Sequence, residues 1–209
     1  MSEAPRGREL WLIAGQELLR RGGAPAVKLH ALTQALGLTT GSFYHHFAGM
    51  PDYLAQLARY YGTEQPVAGL AQIHDPDPRV RLRRLYALAL DDEMRPLDAA
   101  MRDWAGSDAE AAAAVRAADA ILLEFLATAF AELGHPPAAA RARAQLMFAA
   151  GVAHYTPPWP TGADIIDEVL DILAPGATPA AQTRSVGRSA KPSANRPASS
   201  AVRSQSKIT

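Results

Sequence analysis

Apolar side chains recur along most of the chain at intervals of three and four residues, which is the spacing of one face of an α-helix. Leu29, Leu32 and Leu36 are an example, and Gly37 follows them where a left-handed residue can end the helix. Alternation of single apolar and polar residues, which would indicate strands, is nearly absent. The pattern predicts an all-α protein.

Caps, glycines and prolines divide this pattern into nine predicted helices. Asp77 and Pro78 suit an N-cap and a first helical residue, and Ser107 with Glu110 matches a capping box. Gly134 marks the end of the helix that Ser107 would open. The predicted helices cover about residues 6–22, 29–36, 40–47 and 51–62, a fifth from 78 onward, then 96–104, 107–133, 136–154 and 162–173.

Residues 28–47 predict two short helices joined by a glycine turn, which is a helix-turn-helix motif. Phe43 and Phe47 lie one turn apart in the second helix, so both can anchor it in a core. The opposite face carries Gly41, Ser42 and His45, flanked by Tyr44 and His46. A short uncharged face rich in hydrogen-bonding groups is typical of a helix that enters the DNA major groove. Two ordinary core helices would not explain these aromatic and histidine residues.

A wider pattern surrounds the motif. It comprises Ala14, Leu18, Leu19 and Gly23, the string L-T-Q-A-L-G-L at 32–38, and the string G-S-F-Y-H-H-F at 41–47 followed by Leu54. With these residues the chain, from about Arg8 to Leu54, resembles the DNA-binding domain of the tetracycline-repressor (TetR) family of bacterial regulators. The resemblance implies a homodimer on a palindromic double-stranded DNA operator, an unknown small-molecule effector and no cofactor.

The resemblance also implies which residues contact DNA. They are Lys28, His30, Thr39, Thr40, Gly41, Ser42, Tyr44, His45 and His46, with Thr39 as the N-cap of the second helix. Two positions depart from the family pattern. Lys28 stands where the family commonly has a capping threonine, and a lysine there is a poor cap but a good phosphate partner. Met50 stands where the family usually has a lysine that contacts phosphate.

Charge is unevenly distributed although the 209-residue chain has no net charge. Residues 1–62 carry +2, residues 63–175 carry −8, and residues 176–209 carry +6. The ends of the chain therefore suit DNA and the middle does not. We expect a helix-turn-helix domain at 1–50, an effector-binding and dimerisation domain at 51–175, and a disordered basic tail at 176–209. The tail could hold DNA nonspecifically or keep the chain soluble.

Several classes of site are not expected. The chain has no cysteine, and therefore no disulfide or thiolate metal site. Its histidines do not follow the spacing of zinc ligands. No apolar run is long enough to span a membrane, and no paired acid and base indicates catalysis. We expect a cytoplasmic protein that is not an enzyme, without catalytic residues or metal.

The last two predicted helices favour association between helices. The final helix has an apolar face wide enough to pack on its own domain and on a partner, and the helix before it offers small residues that allow close approach. The resemblance implies a homodimer through a four-helix bundle, the alternative being a bundle within one chain. The predicted interface residues are Ala142, Ala149, Ile166, Val169, Leu170 and Leu173.

An effector pocket is implied by the resemblance alone. Its candidates are the bulky residues Tyr86, Met101, Trp104, Phe125, Met147, His154 and Tyr155. Such side chains at helical spacing are more often core residues than pocket residues. Few charged residues interrupt the inner faces of these helices, which indicates an apolar or aromatic effector.

The leading hypothesis is a dimeric transcription factor, most often a repressor in this family, whose effector favours a dimer with wrongly spaced recognition helices. Two alternatives stay open. The first is a small-molecule-binding helical protein with a weakened or vestigial DNA-binding half, which Met50 and the low charge of residues 1–62 would fit. The second is an all-helical enzyme, for which the sequence offers no paired acid and base.

Overall fold

The computed structural model describes residues 7–89, 94–152 and 165–175, which belong to one compact unit. Their regular structure is helical throughout, so the predicted all-α class is confirmed. The first four helices are α1 (Arg8–Gly22), α2 (Leu29–Leu36), α3 (Thr40–His46) and α4 (Met50–Arg59). A short 3-10 turn at Ala24–Ala26 joins α1 to α2.

The fourth helix does not end at Gly62 as predicted. A π-helical turn at Tyr60–Glu64 follows α4 directly, and α5 (Gln65–Leu70) follows that turn, so the chain stays helical from Met50 to Leu70. Gly62 was interpreted as a helix end, but here it lies within the helical path and is buried. Its small size, rather than its backbone freedom, is what this position needs.

Five more helices complete the described structure. They are α6 (Pro78–Ala89), α7 (Met94–Ala105), α8 (Ala109–Glu132), α9 (Pro137–Val152) and α10 (Ile165–Leu173). The capping box predicted at Ser107 is wrong: the N-cap is Asp108, whose side chain accepts a hydrogen bond from the Ala111 N–H at 2.8 Å. Its carboxylate also suits the positive end of the helix dipole. None of the helices in the described ranges is both long and apolar enough to cross a membrane.

The interior is divided into two hydrophobic clusters. The first joins α1–α4 to α7 and the first half of α8, with Trp11, Phe43, Leu97 and Val115 among its members. It crosses the domain boundary expected after residue 50, so the helix-turn-helix shares its core with the helices that follow. The second cluster joins α6, the end of α8, α9 and α10.

Two ion pairs hold α10 against α6. Arg79 pairs with Asp171 and Arg83 pairs with Asp167, so the two helices run antiparallel. Both carboxylates are exposed, and such surface pairs stabilise a fold by only about 0–1 kcal/mol each. The buried contacts of Leu170 with the second cluster therefore stabilise this packing, and the ion pairs set its register.

Candidate nucleic-acid interface and internal pocket

Helix α3 is anchored by aromatic side chains. Phe43 and Phe47 are 0% and 2% exposed. The ring centroid of Phe43 lies 5.4 Å from that of Trp11, and Phe47 meets Tyr53 edge-on at 4.9 Å. The Tyr53 hydroxyl donates to the Trp11 carbonyl oxygen at 2.7 Å, and burial raises the pKa of Tyr53, which keeps it protonated as a donor. Helices α1 and α4 therefore fix the position of α3.

One residue of α1 that sequence analysis missed makes this arrangement possible. A Cβ atom at Gly15 would lie 2.0 Å from the Tyr53 hydroxyl oxygen and 3.1 Å from a methyl of Leu57. Only glycine leaves room for the tyrosine to reach the Trp11 carbonyl. A glycine inside an apolar helix face was the available signal, but its partner could not be identified without the fold.

The turn between α2 and α3 has the predicted geometry. Gly37 has φ 65° and ψ 24°, in the left-handed region, and its N–H donates to the Thr33 carbonyl oxygen. The Thr39 side chain accepts a hydrogen bond from the Ser42 N–H at 3.2 Å, so its predicted role as N-cap is confirmed. Lys28 occupies the N-cap position of α2 without any side-chain capping bond, as expected for a lysine.

The residues expected to contact DNA all lie at the surface. Tyr44 is 57% exposed, and the ring centroids of His45 and His46 are 5.0 Å apart. Ser42 and His46 are half-buried, and the exposed members are Lys28, His30, Thr39, Thr40, Gly41, Tyr44 and His45. We call the outward side of α3 formed by Ser42, Tyr44, His45 and His46 the α3 face. It is polar, and α3 is only seven residues long.

The nearest acidic residue after the motif, Asp52, accepts hydrogen bonds from its neighbours. Asp52 accepts a hydrogen bond from the Ala48 N–H at 2.8 Å and from the Gln56 amide at 3.1 Å. The hydrogen bond from Gln56, and after it the one from Ala48, hold the pKa of Asp52 below its ordinary value. Arg8 in turn donates to Gln56 at 2.6 Å. The carboxylate therefore organises the start of α4, and residues 28–47 contain no acid that would repel phosphate.

A partly open pocket of about 300 Å³ lies among α5–α9, together with the π-helical turn. Of the predicted pocket residues, Tyr86 and Met147 line it. Met101 and Trp104 do not, because they lie on the side of α7 that packs into the first cluster, and Phe125 is half-buried outside the lining. His154 and Tyr155 lie outside the described residues. The side of α7 that faces the pocket carries Met94, Arg95, Asp98 and Arg102.

A hydrogen-bonded network forms part of the pocket wall. Tyr61 donates to Asp98 at 2.6 Å, and Arg102 bridges Asp98 at 2.9 Å and Asp119 at 2.7 Å. Burial, reinforced by Asp98, raises the pKa of Tyr61. Burial alone would lower the pKa of Arg102, but its bonds to Asp119 and Asp98 outweigh that effect and raise it. Sequence analysis missed this network, although Asp98 and Arg102 stand four residues apart on one helix.

The helical segment from Met50 to Leu70 connects the helix-turn-helix to the pocket. Its later part lines the pocket through Tyr61, Gln65 and Leu70. At Gly62 the segment lies directly against α8. A Cβ atom added to Gly62 would lie 2.8 Å from both the Cα and the carbonyl oxygen of Ala114. The pocket wall at residues 61–70 and the start of α4 near α3 thus belong to one continuous helical path.

The predicted interface residues divide into two groups. Ala142 and Ala149 are exposed on α9, beside Leu146 at 62% exposure. Ile166 and Leu170 instead fill the second cluster of their own chain, while Val169 and Leu173 are half-buried. Ile166 and Leu170 thus pack within their own chain, because α10 turns its apolar face to α6, α8 and α9. Ile172, 75% exposed, lies on the outer side of α10.

In the described residues, no cluster of three histidine, aspartate or glutamate side chains could bind a metal ion.

The sequence matches no protein-family model, and no curated protein matches it. Solved structures do. SCO7518 of Streptomyces coelicolor A3(2) is 17% identical over 82% of this chain and 99% of that chain, with a TM-score of 0.62.

Two transcriptional regulators are similar to the same extent. One from Rhodococcus sp. Rha1 is 18% identical over 81% of this chain and 94% of that chain, with a TM-score of 0.60. A TetR-family regulator from Agrobacterium tumefaciens is 20% identical over 80% of this chain and 95% of that chain, with a TM-score of 0.57. The chain has the fold of these regulators, so the resemblance seen in the sequence is confirmed at the level of the fold.

Proposed function

We propose that the protein is a homodimeric DNA-binding transcriptional regulator that responds to a small-molecule effector and acts as a repressor. The observation that carries this proposal is the α3 face. A seven-residue helix has two aromatic anchors buried beneath it and only hydrogen-bonding side chains on its outer side. Such a helix suits the major groove, where base edges are distinguished by hydrogen bonds. A regulator of this kind binds the chromosome, and in a bacterium the chromosome lies in the cytoplasm.

Base contacts and phosphate contacts should be separable by substitution. His45→Ala should lose about 1–3 kcal/mol of preference for the operator over unrelated DNA, while the salt slope stays unchanged, because losing a contact to a base edge releases no counterion from phosphate. Lys28→Ala should weaken binding to both DNAs equally and lower the salt slope by about one unit, because one fewer counterion is released. Titrations of both DNAs at several salt concentrations measure the two effects. A uniform loss for His45→Ala would contradict its role in base recognition.

We propose that a second copy of the chain covers the outer side of α9. Ala142 and Ala149 are exposed one turn to either side of Leu146, and Ile172 of α10 is exposed as well. Small residues at this spacing let two α9 helices approach closely, with Leu146 packed between them. A dimer would also present two α3 helices to a palindromic operator, which one short helix alone would bind weakly.

Leu146→Glu should convert the dimer to a monomer, because the interface would bury an unpaired carboxylate. The fold of the chain should be unaffected, since Leu146 is 62% exposed in the single chain. Val67→Glu is the matched control, because Val67 on α5 is 57% exposed and lies outside the proposed interface. Sedimentation velocity measures both. Retention of a stable dimer by Leu146→Glu would show that the chains associate through another surface.

We propose that effector binding acts through the Met50–Leu70 helical segment. A ligand in the pocket contacts Tyr61, Gln65 and Leu70, and the same helical path begins beside α3. Gln65 also accepts a hydrogen bond at 2.7 Å from Gln16, a buried residue of α1. If the ligand favours one position of this segment, it shifts the population of dimers away from the spacing that the operator requires.

A further inference from the structure

The polar groups of the pocket wall differ in how many hydrogen bonds they make within the protein. The surrounding surface is apolar, formed by leucine, methionine and aromatic side chains. Tyr61, Asp98 and Arg102 are joined to one another and to Asp119 by hydrogen bonds. Both oxygens of Asp98 accept bonds within this network, and Arg102 offsets its charge. These groups have little remaining capacity to bind a ligand.

Arg95 is different. It lies on the pocket side of α7 and is half-buried, yet no hydrogen bond or ion pair joins its guanidinium to another described residue. Other half-buried arginines of the chain, such as Arg79, Arg81 and Arg102, pair with carboxylates on neighbouring helices. A guanidinium partly removed from water beside apolar walls favours an anionic partner, since a carboxylate matches its two parallel donors.

The size of the pocket limits the ligand. At about 30 Å³ for each water-sized group, a cavity of about 300 Å³ holds roughly ten non-hydrogen atoms. A carboxylate with a chain of about eight carbons fills this space, with its apolar part against Leu85, Leu122, Leu126 and Met147.

We propose that the ligand of this pocket is an apolar small molecule with one anionic head group, and that Arg95 binds this group. The assignment of this molecule as the effector rests on the proposed function, but its chemical class rests on the pocket alone. The apolar walls supply most of the affinity, and Arg95 selects the anion over neutral or cationic molecules of the same shape.

The test uses the full chain and three probes of equal length: octanoate, octan-1-ol and octylammonium. Isothermal titration should show octanoate binding at least about tenfold more tightly than either of the others, as a charge-assisted bond to a partly buried guanidinium would give. Arg95→Gln should remove this preference and leave binding of octan-1-ol unchanged. Arg95→Glu should reverse it in favour of octylammonium.

Arg116→Gln is the matched control, because Arg116 is exposed on α8, is outside the pocket lining and loses the same charge. It should bind octanoate as the wild type does. Equal affinity for the three probes, or octanoate binding unchanged by Arg95→Gln, would overturn the proposal. Neither readout involves DNA. A chain that binds octanoate through Arg95 but binds no operator would therefore retain this inference and refute the regulator, and the opposite pattern would do the reverse.

Discussion

Phe43→Ala is expected to lower the free energy of unfolding by about 3–5 kcal/mol, which is the usual cost of removing a buried phenylalanine side chain. Phe43 is 0% exposed and its ring contacts Trp11, Phe47 and Tyr53. Its removal leaves a cavity at the point where α1, α3 and α4 meet. Denaturant unfolding followed by circular dichroism measures the change.

The neighbouring residue provides the control. Tyr44 is 57% exposed, although its ring meets Phe43 edge-on at 5.5 Å, so Tyr44→Ala should cost much less stability than Phe43→Ala but weaken DNA binding. The two adjacent substitutions thus separate anchoring of α3 from contact with DNA. If Phe43→Ala were as stable as Tyr44→Ala, the aromatic cluster would not be what holds α3 in place.

Gly62→Ala is expected to destabilise the chain by about 1–3 kcal/mol, because the added methyl overpacks the contact with α8. Its Cβ would lie 2.8 Å from two backbone atoms of Ala114, which no side-chain rotation can relieve. The helical segment and α8 must therefore separate, and the pocket wall at Tyr61 moves with them. Thermal unfolding and titration with octanoate together measure both consequences.

Gly69→Ala is the matched control in the same helical segment. Nothing lies within 4 Å of a Cβ atom placed there. The substitution should stabilise the chain by roughly 0.5–1 kcal/mol, the ordinary advantage of alanine over glycine in a helix. Equal melting temperatures for Gly62→Ala and Gly69→Ala would show that the contact with Ala114 is not tight.

Local signals in the sequence predicted the helix-turn-helix well. The limits of α2 and α3, the left-handed Gly37 and the Thr39 cap depend on interactions within a few residues, which the sequence contains directly. The end of the fourth helix was predicted wrongly at Gly62 for a different reason. That glycine is required by the approach of Ala114, a residue distant in sequence, and no local pattern reveals such a contact.

The candidate sites were predicted less completely because they depend on which face of a helix meets which neighbour. Met101 and Trp104 are residue types that often line apolar pockets, but α1 and α8 cover their side of α7. Leu170 has the periodicity of an interface residue, but α6 and α9 cover it within the chain. Arg95 gave no signal in the sequence, since an arginine that lines a cavity looks the same as one in solvent.

The most direct test of the proposed function is selection of genomic fragments by the full chain at physiological salt. The wild type should retain a small set of fragments that share an inverted repeat. The variant Tyr44→Ala/His45→Ala should still fold, because both side chains are exposed on the α3 face, but it should retain no fragment above background. If the wild type enriches no fragment, or the variant retains the same set, the α3 face does not recognise DNA and the chain is a small-molecule-binding protein with a vestigial DNA-binding half.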